Sequence, residues 1–140
     1  MPSATVSLVK DMQFLAETGS GHVVVMDANQ QFGGNDTGSR PMELLLVGFG
    51  GCTGMDVISI LRKKRQNVRG LSIEVDGTKA DGHPGRYTKI HLKYTVTGRD
   101  VKPDAVERAV TLSLEKYCSA AATLGASAEI THEYEIVETD

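Results

Sequence analysis

Hydrophobic and polar residues alternate with a period of two along three stretches of the chain, which is typical of strands with one solvated face. These stretches are Leu71–Lys79, residues 89–96 and Ala128–Val137. In the second stretch the hydrophobic side consists of Ile90, Leu92, Tyr94 and Val96. Shorter runs rich in β-branched residues predict three further strands over Thr5–Val9, Gln13–Glu17 and His22–Met26, and the polar, glycine-rich segment Asp27–Ser39 predicts a long loop.

The helical segments complete the expected architecture. Pro41–Arg65 predicts one long helix, because it contains no break stronger than glycine. A second helix begins at Pro103, and a short third helix covers Ser119–Leu124. The hydrophobic stripe of the second helix is expected at Val106, Ala109, Val110, Leu114 and Tyr117. Three strands, a long helix, two strands, two helices and a last strand predict an α+β fold.

Composition and charge narrow the functional classes. A chain of 140 residues fits one domain over residues 1–140. The formal charge of −3 gives no reason to expect a nucleic-acid partner. The N-terminus lacks a basic-then-apolar signal pattern, and no run of about eighteen uninterrupted apolar residues is present. A cytoplasmic protein without a membrane segment is therefore expected.

The long helix is apolar on every side, and its few polar residues gather near a cysteine. A helix without a polar face is expected to be buried at the centre of the structure. At about 100° per residue, Thr53, Asp56 and Ser59 fall within about 100° of Cys52 around the helix axis. This spacing predicts a small polar pocket around the Cys52 sulfur. The carboxylate of Asp56 would disfavour a thiolate there unless a cation compensates it.

Four glycines, at positions 48, 50, 51 and 54, lie in the same helix. Each costs about 1 kcal/mol of helix propensity relative to alanine, so a compensating contact is expected. The simplest one is close approach of another backbone, which in so short a chain can belong to the same helix of a second subunit. A locally weak or bent helix is the alternative.

The chain has two cysteines, Cys52 and Cys118. Two are too few for a structural zinc site or for a scaffold held by disulfides. They are either a redox-active pair or two buried small hydrophobic side chains, and the sequence alone leaves open whether the sulfurs meet. Cys118 opens the short third helix, where the positive end of the helix dipole predicts a lowered thiol pKa.

The residues around both cysteines resemble those of a known family. The segment Pro41–Cys52 is similar to the P-x-E-L-L…G-G-C segment of the OsmC/Ohr family, named after osmotically inducible protein C and organic hydroperoxide resistance protein. Lys116-Tyr117-Cys118-Ser119 resembles the segment that carries the second cysteine of that family. The order of elements also fits, so the resemblance covers nearly the whole chain. The run Gly-Gly-Cys-Thr-x-x-Asp points to an uncharacterised OsmC-like branch.

The resemblance implies an OsmC-like fold, with antiparallel sheets packed around a long central helix, and an intertwined homodimer with active sites at the subunit interface. It also implies thiol-dependent reduction of organic hydroperoxides, in which Cys52 attacks the peroxide and Cys118 then forms a disulfide with it. An external dithiol restores the pair by exchange. No metal, flavin or nucleotide is expected, and the sequence contains no motif for one.

Hydroperoxide-reducing members of the family also use a glutamate and an arginine. Their glutamate directly follows the proline of the motif, where this chain has Met42, so Glu43 is the candidate carboxylate. Their arginine lies in the N-terminal strands, where this chain has none, so Arg40 is the candidate cation. Two rival interpretations stay open. One is a non-peroxidase homodimer of this fold that binds a small apolar ligand at the subunit interface, and the other is a structural dimer with inert cysteines.

Overall fold

A computed structural model describes residues 2–140, whose strands form two three-stranded sheets. The chain divides into two units, one up to Leu45 and one over Leu46–Asp140. The sheet of the first unit consists of β1 (Ala4–Lys10), β2 (Gln13–Thr18) and β3 (Val23–Met26). Neighbouring strands pair antiparallel. These three strands are where the sequence predicts them, to within one residue at every end.

The loop after β3 is built around the carboxylate of Asp27, which is 2% exposed. Its Oδ1 accepts the N–H of Ala28, and its Oδ2 accepts the N–H groups of Asn35 and Thr37. The Thr37 hydroxyl donates to the same Oδ2 at 2.6 Å. A 3₁₀ turn over Gln30–Phe32 lies inside the loop. One buried carboxylate thus orders a segment that the sequence predicts only as a long loop.

The long helix, α1, covers Pro41–Lys63. At its start the Glu43 carboxylate accepts the backbone N–H of Arg40 at 2.8 Å, as the third helical residue does in a capping box. The helix ends at Lys63 rather than at the predicted Arg65, because Arg65 has a left-handed φ of 59° that an α-helix does not continue through.

Within the second unit, α1 contributes one buried stripe. The stripe consists of Phe49, Thr53, Val57 and Leu61. Val47 and Met55 point elsewhere and are 64% and 74% exposed. The expectation that α1 is buried on every side is therefore wrong for the single chain. The helix has more apolar surface than the rest of one chain can cover.

The same helix is long and apolar enough to cross a membrane when judged by length and composition, with a mean hydropathy of 1.8 over its most apolar window. This differs from the sequence expectation, which counted only uninterrupted apolar residues. The core helix of a soluble protein meets the same criterion, and the buried stripe of α1 belongs to the core of the second unit.

The second sheet consists of β4 (Asn67–Lys79), β5 (Tyr87–Arg99) and β6 (Glu129–Glu138). β4 and β5 pair antiparallel, but β5 and β6 run parallel. The expectation of antiparallel sheets needs correction for this pair, because the chain returns to β6 through a helical crossover, as parallel neighbours require. The hydrophobic face predicted for β5 is confirmed. Its fully buried members are Ile90, Leu92, Tyr94 and Val96.

Two of the four helix glycines allow α1 to pack closely on β4. A Cβ added at Gly50 would lie 3.1 Å from Cγ2 of Val75, and one at Gly54 would lie 3.2 Å from Cδ1 of Ile73. A Cβ on either of the other two glycines would meet nothing within 4 Å. For these two glycines the close neighbour is therefore a side chain of the same chain, and not the second backbone that the sequence analysis expects.

The crossover from β5 to β6 contains three helical pieces. α2 (Pro103–Leu112) continues into a π-helical turn over Ser113–Tyr117, and α3 (Ser119–Gly125) follows. A π-helical turn contains more residues than an α-helical one, so the side chains beyond α2 point in new directions. Ser113 is fully buried, whereas Tyr117 is 52% exposed. The predicted extension of the hydrophobic stripe to Tyr117 is therefore wrong.

Candidate functional site

Cys52 and Cys118 come together within the second unit. Cys52 lies in the middle of α1, and Cys118 joins the π-helical turn to α3. The Cys52 side chain lies close enough to Cys118 to raise the pKa of the Cys118 thiol. Cys52 is half-buried, whereas Cys118 is only 4% exposed. The two sulfurs whose proximity the sequence leaves open are thus neighbours, with unequal access to solvent.

The surroundings of Cys118 keep its thiol protonated. Burial raises the pKa of Cys118 to about 11, and the Cys52 thiol acts in the same direction. The N–H of Ala121 donates to Cys118 Sγ at 3.3 Å and lowers this pKa, but not enough to offset the loss of hydration. The lowered pKa that the sequence predicts at this helix start is therefore wrong, and Cys118 is a thiol at neutral pH.

Three buried hydroxyl groups and a carboxylate form a chain of hydrogen bonds that joins α1, β5 and the π-helical turn. Thr53 Oγ1 lies 2.8 Å from the Tyr94 hydroxyl and 2.7 Å from Ser113 Oγ. Ser113 Oγ donates to Asp56 Oδ2 at 2.9 Å. Thr53, Tyr94 and Ser113 are fully buried. We call these four residues the hydroxyl chain.

The hydroxyl chain has a fixed direction when Asp56 is ionised. The carboxylate only accepts, so the single proton of Ser113 points to it. Ser113 then accepts the Thr53 proton, and Thr53 accepts the Tyr94 proton. Burial raises the pKa of Tyr94 to about 12, so the phenol keeps the proton that starts the chain. At Asp56 the structure therefore shows a hydroxyl donor where the sequence analysis calls for a cation.

Asp56 also lines a cleft of about 420 Å³ on the second unit, together with Ser59, Lys63 and Tyr117. The polar cluster expected on the Cys52 side of α1 is therefore divided between two places. Thr53 belongs to the buried hydroxyl chain, Ser59 faces the cleft, and Asp56 belongs to both.

Arg40 and Glu43 come together at the start of α1, in the first unit. The Arg40 guanidinium pairs with Asp36 at 2.7 Å and donates to the Gly38 carbonyl at 3.0 Å. The Glu43 carboxylate accepts the backbone N–H of Arg40. Both candidates therefore support the end of the Asp27–Ser39 loop and the first turn of the helix.

The donor groups of the site favour sulfur chemistry. Among residues 2–140, no group of three or more His, Cys, Asp or Glu side chains is placed to hold a metal ion. Two neighbouring thiols are suited to nucleophilic attack and to thiol–disulfide exchange.

Tyr94 and Ser113 are the site residues that the sequence analysis does not single out. Tyr94 lies on the hydrophobic face predicted for β5, where a buried tyrosine needs a partner for its hydroxyl. Ser113 lies in register with Val106 and Ala109, which belong to the hydrophobic stripe of α2. In both cases a polar group at a core position indicates a buried hydrogen bond. The sequence does not identify the partner, because Thr53 is 41 positions from Tyr94 and 60 from Ser113.

The family model described as OsmC-like protein matches residues 33–133. The chain belongs to the OsmC-like family. Protein YhfA of Escherichia coli K12 is 44% identical to it over 134 residues, which cover 96% of this chain and 97% of YhfA. The crystal structure of a hypothetical protein from Aquifex aeolicus VF5, 36% identical, has a TM-score of 0.82 and covers 99% of this chain and 98% of its own.

An organic hydroperoxide resistance protein from Elizabethkingia anophelis shares the OsmC-like fold at 12% identity, with a TM-score of 0.71 and coverage of 99% of this chain and 96% of that one. These similarities confirm the α+β class and the OsmC-like fold. The OsmC/Ohr family contains hydroperoxide-resistance proteins and is commonly homodimeric.

Proposed function

We propose that this OsmC-like protein is a cytoplasmic, homodimeric thiol peroxidase that reduces organic hydroperoxides without a cofactor, in defence against oxidative stress. The observation that carries the proposal is the half-buried Cys52 near the buried, protonated Cys118, close enough to raise the pKa of that thiol. This difference in access supports different tasks for the two sulfurs in the proposed reaction. In this proposal the peroxide reacts with Cys52, and Cys118 reacts afterwards with the oxidised Cys52.

The first step oxidises Cys52. Its thiolate attacks the terminal oxygen of the hydroperoxide, so an S–O bond forms while the O–O bond breaks. The sulfur becomes a sulfenic acid, and the alkoxide leaves as the alcohol after taking up the proton that Cys52 released. Before this step, the Cys118 thiol can donate a hydrogen bond to the Cys52 sulfur and stabilise its thiolate.

The second step forms the disulfide. Cys118 attacks the sulfenic sulfur of Cys52, an S–S bond forms, and the sulfenic oxygen leaves as water with the Cys118 proton. An external dithiol then supplies two electrons and two protons by exchange, so that both cysteines return to thiols and the dithiol becomes a disulfide.

Arg40 and Glu43 are part of the proposal as the cation and the carboxylate that the family resemblance implies. An arginine suits the role because its planar guanidinium binds an anionic oxygen through two donors, which lysine cannot do. Since Arg40 pairs with Asp36, Asp36→Asn is the matched control: it removes the ion pair and keeps the guanidinium. Arg40→Lys should lose peroxidase activity, whereas Asp36→Asn should keep it. If the two variants had the same peroxidase activity, Arg40 would not be the cation of the site.

The proposed homodimer is supported by uncovered apolar surface on the single chain. A groove of about 660 Å³ runs beside α1, and its lining includes Val47, Gly51, Met55 and Ile58. Exposed apolar surface of this extent is typical of an interface. The same helix of a second copy is also apolar and could fill this groove. Gly48 and Gly51, where a Cβ would meet nothing within 4 Å, would let it approach closely.

The test is consumption of cumene hydroperoxide with dithiothreitol as the reductant. Cys52→Ser should abolish turnover. In a separate assay without dithiothreitol, pre-reduced Cys118→Ser should consume about one equivalent and then stop, with a sulfenic acid at Cys52 that dimedone labels. Ser119→Ala, beside Cys118 and exposed, is the control and should turn over normally. A wild-type protein that consumes no organic hydroperoxide, or that reduces hydrogen peroxide faster, would contradict the proposal.

A second candidate function is the binding of a small apolar ligand. A cleft of about 480 Å³ in the first unit favours it, because its lining is almost entirely apolar and includes Val6, Met12, Phe14 and Met26. Tight binding of a fatty-acid probe by a wild-type protein without peroxidase activity would support this function in place of the first.

A further inference from the structure

Ser113 is bonded at once to the segment that carries Cys118 and to the helix that carries Cys52. Its backbone carbonyl accepts the N–H of Cys118 at 2.7 Å, which closes the π-helical turn. Its side-chain oxygen bonds to Thr53, the residue after Cys52, at 2.7 Å, and to Asp56, one turn further along α1, at 2.9 Å. A single fully buried residue therefore connects both sides of the thiol pair.

The geometry of these bonds restricts movement. Ser113 Oγ has one proton, which goes to Asp56, and it accepts the Thr53 proton, so both of its bonds end on α1. The third bond, from the carbonyl, fixes the first residue after the π-helical turn. Because a disulfide forms only within a narrow range of Cα and Cβ separations, a fixed distance between these two segments matters for Cys52 and Cys118.

We propose that Ser113 is a positioning residue that holds the Cys118 segment beside the Cys52 helix, through its hydrogen bonds to Thr53 and Asp56. The inference rests on the proposed function, since it concerns the disulfide step of that reaction. Ser113 touches no substrate in this role. It sets the effective concentration of one thiol beside the other, as pre-organisation does in other sites.

The experiment measures the equilibrium between the Cys52–Cys118 disulfide and glutathione, by acid quenching, alkylation and mass spectrometry. Thr53→Val removes the hydroxyl at nearly constant shape, Ser113→Ala removes the other hydroxyl, and Thr53→Ser keeps one. We expect the effective concentration of the pair to fall about tenfold in the first two variants, the effect of losing about one hydrogen bond, and to stay within about twofold in Thr53→Ser.

Thr111→Val is the matched control, because the Thr111 hydroxyl donates to the carbonyls of Glu107 and Arg108 within α2 and takes no part in the hydroxyl chain. Its disulfide equilibrium should equal that of the wild type. A purely structural role for Ser113 would lower the melting temperature of the reduced protein and leave this equilibrium unchanged. That outcome would overturn the inference, as would equal equilibria in Thr53→Val and Thr53→Ser.

A second readout separates the inference from the proposed function. In a Cys52→Ala background, Ser113→Ala should raise the rate at which iodoacetamide alkylates Cys118 by about tenfold, because the π-helical turn loses its hold on α1. Absence of any Cys52–Cys118 disulfide in the oxidised wild type would refute the proposed redox pair. Ser113 would then be judged by the alkylation rate alone, and an unchanged rate would overturn its positioning role.

Discussion

The hydroxyl of Thr37 donates to Oδ2 of Asp27 across 2.6 Å, and this bond, together with the backbone N–H donors of the loop, lowers the pKa of Asp27 to about 2. The ordinary value is 3.8, so the folded state holds the proton of this carboxyl less tightly than the unfolded chain does. The stabilisation from Asp27 is therefore complete above about pH 3.8 and is lost as the pH falls toward 2.

We predict that Asp27→Asn lowers the free energy of unfolding at pH 6 and flattens its dependence on pH between 4 and 2. Urea unfolding followed by circular dichroism at several pH values measures both effects. Asp11→Asn is the matched control, since Asp11 is exposed and accepts the side-chain N–H of Asn35. If the two variants showed the same pH dependence as the wild type, Asp27 would not organise the loop.

The raised pKa of Cys118 predicts how the two cysteines react with alkylating agents. In Cys52→Ala, the remaining Cys118 should react slowly with iodoacetamide at pH 7, and the rate should keep rising as the pH approaches 11, because burial holds the pKa of this thiol near that value. In Cys118→Ala, the half-buried Cys52 should react much faster at pH 7. Mass spectrometry of timed samples gives both rates, and equal rates at pH 7 would refute the assignment of tasks.

Removal of the hydroxyl of Tyr94 should cost stability. Tyr94→Phe leaves Thr53 without the donor that begins the hydroxyl chain, and we expect the free energy of unfolding to fall by about 1 kcal/mol. Chemical denaturation measures the change. Tyr117→Phe is the control, because Tyr117 is 52% exposed, and it should change stability by less than about 0.5 kcal/mol. A loss of equal size in both variants would mean that the buried bond contributes nothing.

The oligomeric state can be tested on the exposed side of α1. Met55→Glu places a charge in the groove beside the helix, where Met55 is 74% exposed in the single chain. The variant should fold and should sediment as a monomer at concentrations where the wild type is a dimer, because an unpaired charge at an apolar interface is strongly unfavourable. Arg108→Glu, on the exposed face of α2, should leave the wild-type state unchanged. A monomeric wild type would refute the homodimer.

The sequence predicts the elements well where hydrophobic periodicity and burial agree. β5 is such a case, since its four alternating hydrophobic residues are fully buried. In α1 periodicity and burial disagree: a helix that is apolar all round is expected to be buried, but one chain covers only the stripe that contains Phe49 and Val57. Hydrophobic periodicity indicates how much apolar surface must be buried, but it does not indicate whether the same chain or a second molecule buries it.

The site is predicted less completely than the fold. Cys52 and Cys118 are found from their motifs, but the pKa of Cys118 depends on burial, which no local sequence pattern shows and which outweighs the helix start. The partners of Thr53 are similarly hidden: Tyr94 is 41 positions away and Ser113 is 60. Contacts of that range depend on how strands and helices meet, and only the folded chain shows them.

The number of residues in the π-helical turn, Ser113–Tyr117, determines where Cys118 lies in the site. Cys118 is bonded to a carbonyl five residues earlier, in Ser113, rather than four as in an α-helix. A relative one residue shorter here would close a regular helix instead, and its cysteine would be rotated by about 100° around the axis. Deletions in this stretch should therefore be far less tolerated than substitutions at its exposed positions, even where the cysteine itself is retained.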